Sequence, residues 1–302
     1  MVKHQIRLTY FTPTYNREKL LPNLYNSLLN QTNKNFIWLI IDDGSQDNTE
    51  ELVKKWKLDN KLNITYIKKE NGGKHTAIDL SNQVCETEFI CCVDSDDLLT
   101  PDATNILYSK FNLCQEKTCC GLVGPKLITN EQSNGHWNIN TPQIYFYDLD
   151  KKFGVLPETT LVLKTEIAKK YHFPNFPDEK FVTESVYYQQ FFYNYTLATF
   201  NEIIYIAEYQ PDGYTNMGLN LFVKNPYGYA YALKQNAYYS IIEHKSFRLK
   251  LKTAIMYYGW IKFMKIDKDF TTDYKIKSFY HFLGKLMQPF SALIFRKKVK
   301  KN

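Results

Sequence analysis

Three carboxylates stand within four positions, at Asp94, Asp96 and Asp97, directly behind the apolar run Phe89-Ile90-Cys91-Cys92-Val93. Acids packed this closely repel one another, and a divalent cation relieves the repulsion. Ligands that are all hard oxygens favour Mg²⁺ or Mn²⁺ over zinc. A short apolar run reads as a buried strand. The carboxyl end of such a strand is where open α/β sheets bind ligands. Asp97 and Asp102 also precede a helical segment and could serve as its cap. Capping accounts for one acid and explains Asp94 and Asp96 poorly, so we assign the cluster Asp94-Ser95-Asp96-Asp97 a metal–phosphate role.

Three further polar groups follow apolar runs in the same way: Thr12-Pro13-Thr14-Tyr15-Asn16-Arg17, Asp42-Asp43-Gly44-Ser45 and Asn71-Gly72-Gly73-Lys74-His75. A nucleoside diphosphate would use such groups. Pro13 and Tyr15 can line a base, and Asp43 can accept an N–H from a pyrimidine. The Gly-Gly-Lys turn offers backbone N–H groups and a cation at a helix N-terminus. Each group alone has a plainer reading: Asp42-Asp43-Gly44-Ser45 as a turn with a cap, Gly72-Gly73 as an ordinary strand-to-helix turn. Neither a GxGxxG fingerprint nor a Walker lysine motif occurs, which disfavours dinucleotide and ATPase readings.

The elements that must position these groups alternate. Strands are expected at Ile6–Phe11, Phe36–Ile41, Ile64–Ile67 and Phe89–Val93. Helices are expected over Glu18–Asn30, from Asp47 to Asp59, and over Lys74–Val84 and Ala103–Asn112. Repeated strand–helix units predict an α/β fold with a mostly parallel sheet, helices on both faces and right-handed crossovers. Its loops at the strand ends then meet on one edge. Further along, a strand is expected at Thr159–Val162, a helix at Glu184–Asn194 and a strand over Leu197–Tyr209. Beyond Pro226 about three helices run to the end. The expected division is 1–220 for the α/β part (a nucleotide half 1–130, an acceptor half 131–220) and 221–302 for a helical extension.

Composition is compatible with this picture. Hydrophobic residues make up 44% and charged residues 23% of the 302, which is globular rather than disordered. The opening MVKHQIRLTYF reads into a strand rather than a leader, and no run of 18 apolar residues predicts a membrane span. All six cysteines lie between Cys85 and Cys120 without a CxxC pair, so buried free thiols are expected in preference to a zinc site at Cys114, Cys119 and Cys120. Residues 244–302 hold 15 Lys/Arg against 3 Asp, while the rest hold 23 against 28 Asp/Glu. The basic character therefore belongs to the tail and suits an anionic surface.

Taken together, TPTYNRE at 12–18, LIIDDGSQDNT at 39–49, ENGGKHTA at 70–77 and FICCVDSDDLLTPDA at 89–103 resemble the family 2 glycosyltransferases of the GT-A type. The resemblance continues more loosely through PDEKFVTES at 177–185 and EYQPDGYT at 208–215. It implies a GT-A (Rossmann-like) fold, a nucleotide-sugar donor, usually UDP-linked, and Mn²⁺ or Mg²⁺ as cofactor. It makes Asp96 the main metal ligand and puts Asp94 on the metal or ribose. Asp43 would meet the uracil and Lys74 the diphosphate, with Thr12, Pro13, Tyr15, Asn71 and Ser95 completing the donor site. The family's Glu-Asp pair at a later helix start is replaced by Thr183-Glu184-Ser185, which makes Glu184 the candidate base. The plain alternative for Glu184 is a first-turn acid favoured by the helix dipole. The implied reaction is inverting transfer to a hydroxyl of a cell-surface polysaccharide or lipid-linked glycan.

Ile276, Phe279, Tyr280, Leu283, Leu286, Met287, Phe290 and Ile294 recur at helical spacing among lysines, and Pro289 should kink or break that helix. Such a stripe can pack on the remainder of the chain or, with 245–302 as a whole, lie on an anionic membrane. The expected location is cytoplasmic, peripheral on the inner membrane face. An aromatic tail also suits an oligomer. Two other readings are a non-catalytic nucleotide-sugar-binding partner and a nucleic-acid-binding tail. No nucleic-acid motif supports the second, and no nucleic-acid partner is expected.

Overall fold

The computed structural model describes residues 5–129, 137, 139–149, 159–208, 214–242, 245–266 and 274–299. Part of the 130–147 loop, residues 209–213 of EYQPDGYT, and Lys300 and Lys301 lie outside them. The chain divides into two compact units, one of 1–172 with 188–211 and one of 173–187 with 212–302.

The first unit is built on a sheet of ten strands. Strands β1 (Leu8–Thr14), β2 (Ile37–Asp42), β3 (Ile64–Lys68) and β4 (Phe89–Cys92) are mutually parallel in the order β3-β2-β1-β4. Every residue of β1 is buried, as expected of a central strand covered on both faces. Helices α1 (Leu21–Leu29), α2 (Thr49–Asp59), α3 (Lys74–Val84) and α4 (Ala103–Lys110) follow the four strands. A short strand, β5 (Leu98–Leu99), precedes α4. Helix α1 buries Leu21, Leu24, Tyr25 and Leu28, the face given by its 3–4 spacing. Tyr25 stacks on Trp56 at 4.2 Å, and Trp56 on Trp38 at 5.8 Å, which pins α1 and α2 to β2.

Beyond β4 the sheet is mixed. β6 (Cys119–Ile128) lies two places from β4, and β8 (Thr159–Lys164) runs antiparallel between them. β9 (Thr196–Thr199) pairs parallel with β6 and antiparallel with β7 (Gln143–Ile144). β10 (Tyr205–Ala207) pairs parallel with β6 and antiparallel with β5. The expected strand Leu197–Tyr209 is thus two strands. The expected helix Glu184–Asn194 shrinks to one turn, α6 (Ser185–Tyr188), which follows the one-turn α5 (Thr165–Ala168). The aromatic periodicity of 187–192 instead serves ring stacking: Tyr188 on Phe192 at 5.3 Å, and Phe192 on Phe146 at 4.4 Å.

One cysteine expectation is corrected. A 3₁₀ turn at Phe111–Cys114 returns the chain to β6 with the Cα atoms of Cys114 and Cys119 5.5 Å apart, and the two are disulfide-bonded. Cys85, Cys91, Cys92 and Cys120 are free thiols as expected; Cys92 is only half-buried.

The second unit is helical: α7 (Tyr214–Lys224), α8 (Pro226–Ile242), α9 (Phe247–Met264) and α10 (Ser278–Val299). Its core gathers Ala230, Leu233, Tyr257, Trp260, Ile266 and Phe295. Of the expected kink or break at Pro289, the break does not occur: α10 runs on through it. The helix is secured on both sides of the missing N–H: Gly284 and Ser291 are both packed on α9, and the Ser291 hydroxyl donates to the Ile255 carbonyl at 3.1 Å. The two helices approach so closely that a Cβ on Gly259 would lie 2.0 Å from the Ser291 Oγ. Gly259→Val should therefore cost about 1–3 kcal/mol by overpacking, read as a lowered unfolding midpoint; an unchanged midpoint would contradict this packing.

Candidate functional site

Because β1 to β4 are parallel, the segments after Thr14, Asp42, Lys68 and Cys92 leave on one edge of the sheet, and hydrogen bonds tie them into a chain. The Asp43 N–H donates to the Thr14 carbonyl at 2.8 Å. The Asn16 N–H donates to the Ser45 hydroxyl at 2.9 Å, and the Gln46 N–H to the Asn16 side-chain carbonyl at 2.8 Å. Asn71 donates its side-chain amide to the Asp43 carbonyl at 2.8 Å. Lys74, opening α3, reaches the two oxygens of Asp94 at 2.8 and 3.0 Å. The first, second, third and fourth polar groups are thus joined in order.

Within this chain the two neighbouring aspartates have different tasks. Asp42, fully buried, accepts the Ser45 N–H at 2.7 Å and the Tyr66 hydroxyl at 2.6 Å. The plain turn reading holds for it. Asp43, also buried, accepts from Lys69 at 2.6 Å, from the Gly72 N–H at 2.9 Å and from the Gly73 N–H at 2.7 Å. Gly73 has φ +93°, which a side-chain-bearing residue rarely adopts, and this conformation aims its N–H at the carboxylate. Beside it the buried His75 is kept neutral: burial pushes its pKa down to about 4, against the attraction of Asp43. Asp43→Ala would take one partner from the half-buried Lys69, which also donates to the Glu70 carbonyl, and leave the Gly72 and Gly73 N–H groups without their acceptor. It should cost roughly 2–4 kcal/mol and release the 69–73 turn, seen as faster amide exchange there; exchange as slow as in the parent would refute this role.

The acid cluster is electrically uneven. Asp97 accepts the Tyr205 hydroxyl at 2.7 Å and the Glu208 N–H at 3.0 Å, and lies 3.3 Å from Lys126. The Tyr205 hydroxyl in turn accepts the Asp94 N–H at 3.0 Å, and Lys126 sits 4.2 Å over its ring. Burial drives the Asp94 carboxyl up, but Lys74 and Lys126 outweigh burial and hold it below the ordinary value. Asp96 is different. Burial, then the charges of Asp94 and Asp97, push it up to about 6, and Arg17 offsets little of this. Among the described residues no lysine is bonded to Asp96. A half-buried carboxylate left with excess negative charge fits a hard divalent cation, and so does the all-oxygen donor set of Asp94 and Asp96. No three His, Cys, Asp or Glu side chains group to hold a metal by themselves among the described residues. Waters or the oxygens of a bound ligand would complete the coordination.

Of the remaining expected residues, Thr12 and Pro13 lie within β1, with Thr12 accepting the Trp38 indole N–H at 3.0 Å. Tyr15 is 44% exposed just beyond that strand, and Ser95 is buried inside the acid cluster. Glu184 belongs to the second unit, half-buried in the turn ahead of α6, with its carbonyl accepting the Tyr187 N–H at 3.0 Å. A four-residue helix gives its dipole reading little force. Nearby Glu179 went unnoticed in the sequence. It accepts the Tyr227 and Gly228 N–H groups, each at 2.7 Å, at the start of α8. Lys69, Lys126 and Tyr205 were missed as well. A lysine inside the apolar run Cys119–Ile128 was the available signal for Lys126.

The sequence signature described as Glycosyl transferase family 2 matches residues 9–171. Glycosyltransferase GlyG of Streptococcus pneumoniae is 28% identical over 49% of this chain and 46% of its own. The poly(ribitol-phosphate) beta-N-acetylglucosaminyltransferase TarS of Staphylococcus aureus is 30% identical over 32% of this chain and 17% of its own. The chain thus spans less than half the curated length of both. The crystal structure of TarS 1-349 in complex with UDP-GlcNAc superposes with a TM-score of 0.62 at 15% identity, covering 98% of this chain and 92% of that one. Mannosyltransferase PcManGT from Pyrobaculum calidifontis, in complex with GDP-Man and Mn²⁺, gives 0.54 at 15% identity, covering 96% and 74%. At these identities the likeness shows the fold, which is GT-A.

Proposed function

The chain belongs to glycosyl transferase family 2, and on that premise we propose that it transfers a sugar from a nucleotide sugar, UDP-linked, to a hydroxyl of a cell-surface polysaccharide or lipid-linked glycan on the cytoplasmic side of the membrane. The observation that carries the reading is the uneven acid cluster: Asp94 is balanced by Lys74, and Asp96 beside it is left in need of a cation. The TarS complex with UDP-GlcNAc and the PcManGT complex with GDP-Man and Mn²⁺ are precedents in the same fold.

In this proposal Thr12, Pro13 and Tyr15 border the base, and Asp43 meets it at the uracil N–H. Asn71 and the Gly72-Gly73 turn lie beside the diphosphate. Asp96 and Asp94 would hold Mn²⁺ or Mg²⁺, with Ser95 between them. The ion when bound would supply positive charge to the diphosphate leaving group. Lys74 adds a fixed cation at the same place. Glu184 accepts the proton of the acceptor hydroxyl as its oxygen bonds to the anomeric carbon. The bond from that carbon to the diphosphate oxygen breaks on the opposite face, and the anomeric centre inverts. Catalytic work is assigned to residues 1–220, with 221–302 as an accessory region.

The test is release of UDP from a panel of UDP-sugars, followed by mass spectrometry of candidate glycan acceptors. Product with one donor and one acceptor supports the reading. Tight UDP binding with no turnover on any acceptor would favour the non-catalytic partner instead, in keeping with Ser185 at the position of the family's second acid.

A further inference from the structure

Helix α10 turns two unlike faces outward and inward. At 100° per residue, Gly284, Ser291 and Phe295 fall on one side, and all three are buried. Ser291 and Gly284 pack on α9 through Gly259, Ile255 and Tyr258. Phe279, Phe282, Leu286, Phe290, Leu293 and Ile294 fall on the opposite side, and each is 51–65% exposed. Among the described residues, packing leaves this stripe exposed apart from a ring contact of Phe279 with Phe247. An apolar face of this size on a soluble surface marks an interaction site.

Charge identifies the occupant. Lys285 and Arg296 border the stripe along one edge, Lys298 borders the other, and Lys297 closes its end. Lys275 and Lys277 precede the helix, and no Asp or Glu occurs from 274 to 299. A second copy laid on this face, parallel or antiparallel, would bring lysines against lysines or arginine. An anionic lipid surface would meet the same residues with opposite charge. None of the described helices is long and apolar enough to cross a membrane, so a helix with this pattern would lie in the interface plane.

We infer that the outward face of α10 docks the protein on an anionic membrane surface. The phenylalanine and leucine side chains enter the boundary between headgroups and acyl chains. Lys285, Arg296, Lys297 and Lys298 stay at headgroup level and engage anionic groups. Lipid binding needs no turnover, so this inference stands apart from the transferase reading.

The experiment is co-sedimentation of the full chain with vesicles of phosphatidylcholine, with and without phosphatidylglycerol, at low and high salt. The chain should pellet with the anionic vesicles at low salt and bind at least ~10-fold more weakly to neutral vesicles or at high salt. Two variants, Phe282→Ser/Leu286→Ser/Phe290→Ser and Arg296→Gln/Lys297→Gln/Lys298→Gln, should each lose ~10-fold or more of this binding. Because these side chains are exposed, the unfolding midpoint should stay unchanged. No pelleting of the parent chain with anionic vesicles overturns the inference without recourse to a variant. Full binding by a folded apolar variant also overturns it, since the tail would then be acting only as a polycation. A lipid-free dimer of the parent that the apolar variant converts to monomer would assign the face to a second copy instead.

Discussion

Replacing Asp96 by asparagine should abolish turnover, by about 1,000-fold or more, and at the same time raise the stability of the metal-free protein. The two effects have one cause. Burial and the charges of Asp94 and Asp97 hold the Asp96 carboxyl near 6, above its ordinary 3.8. A carboxyl whose folded pKa is raised contributes stability that is complete below the unfolded value and is lost as pH rises through the folded one. At neutral pH the ionised group therefore works against the fold. The shift corresponds to about 3 kcal/mol by linkage, and partial exposure reduces this to about 1 kcal/mol. Asp96→Asn should melt a few degrees higher than the parent at pH 7. The gain should shrink as pH falls from about 6 toward 4, where the parent is itself protonated. Equal midpoints at pH 7 would show that Asp96 carries no such load. The same proton competes with a cation, so Mn²⁺-dependent binding of UDP to the parent should weaken as pH drops below about 6.

Glu184→Gln should lower turnover by roughly 100- to 10,000-fold with UDP affinity unchanged. The neutral amide cannot take the acceptor's proton, yet it keeps the size of the side chain and the Glu184 carbonyl that accepts the Tyr187 N–H. Glu179, five residues earlier, is the natural control. Its two oxygens accept the Tyr227 and Gly228 N–H groups, so it anchors the 179–182 segment to α8. Asn225 reinforces that anchor by accepting the Lys180 and Phe181 N–H groups at 2.9 and 3.0 Å. Glu179→Gln should therefore lower the unfolding midpoint. Unchanged turnover in Glu184→Gln would remove it from the base role. A fall in UDP affinity of similar size would make its role structural.

The residues that follow β1 to β4 were legible because each is announced locally. A short apolar run ends in Thr, Asp or Asn, and parallel pairing then carries the four ends to one edge. α3 was read to the residue because Gly72-Gly73 and the β-strand after it punctuate both ends. What depended on distant partners was not legible. Thr159–Val162 reads as a strand, but its antiparallel place between β4 and β6 is set by residues 34 to 75 positions away. The helix expected over Glu184–Asn194 has the right spacing, yet stacking of Phe192 on Phe146 won over helix extension. The Cys114–Cys119 bond depends on a 3₁₀ turn that no spacing rule foretells. In the site, the acids themselves were evident, and what balances them was not: Lys69 and Lys126 lie outside every motif and reach Asp43 and Asp97 only through the fold. The helical spacing on α10 was legible, but not which residues it exposes: Phe282 and Leu293 stand outward while the expected Leu283 is half-buried, because Gly284 and Ser291 set the packed side.

The most direct measurement is thermal unfolding of the chain with UDP, in the presence and absence of Mn²⁺, beside the same series on Asp96→Ala. A ligand at ~100 times its dissociation constant adds about 2.7 kcal/mol, a rise of several degrees. UDP should raise the midpoint of the parent when Mn²⁺ is present, and Asp96→Ala should lose this rise. No shift with UDP and Mn²⁺, or an undiminished shift in Asp96→Ala, would contradict this.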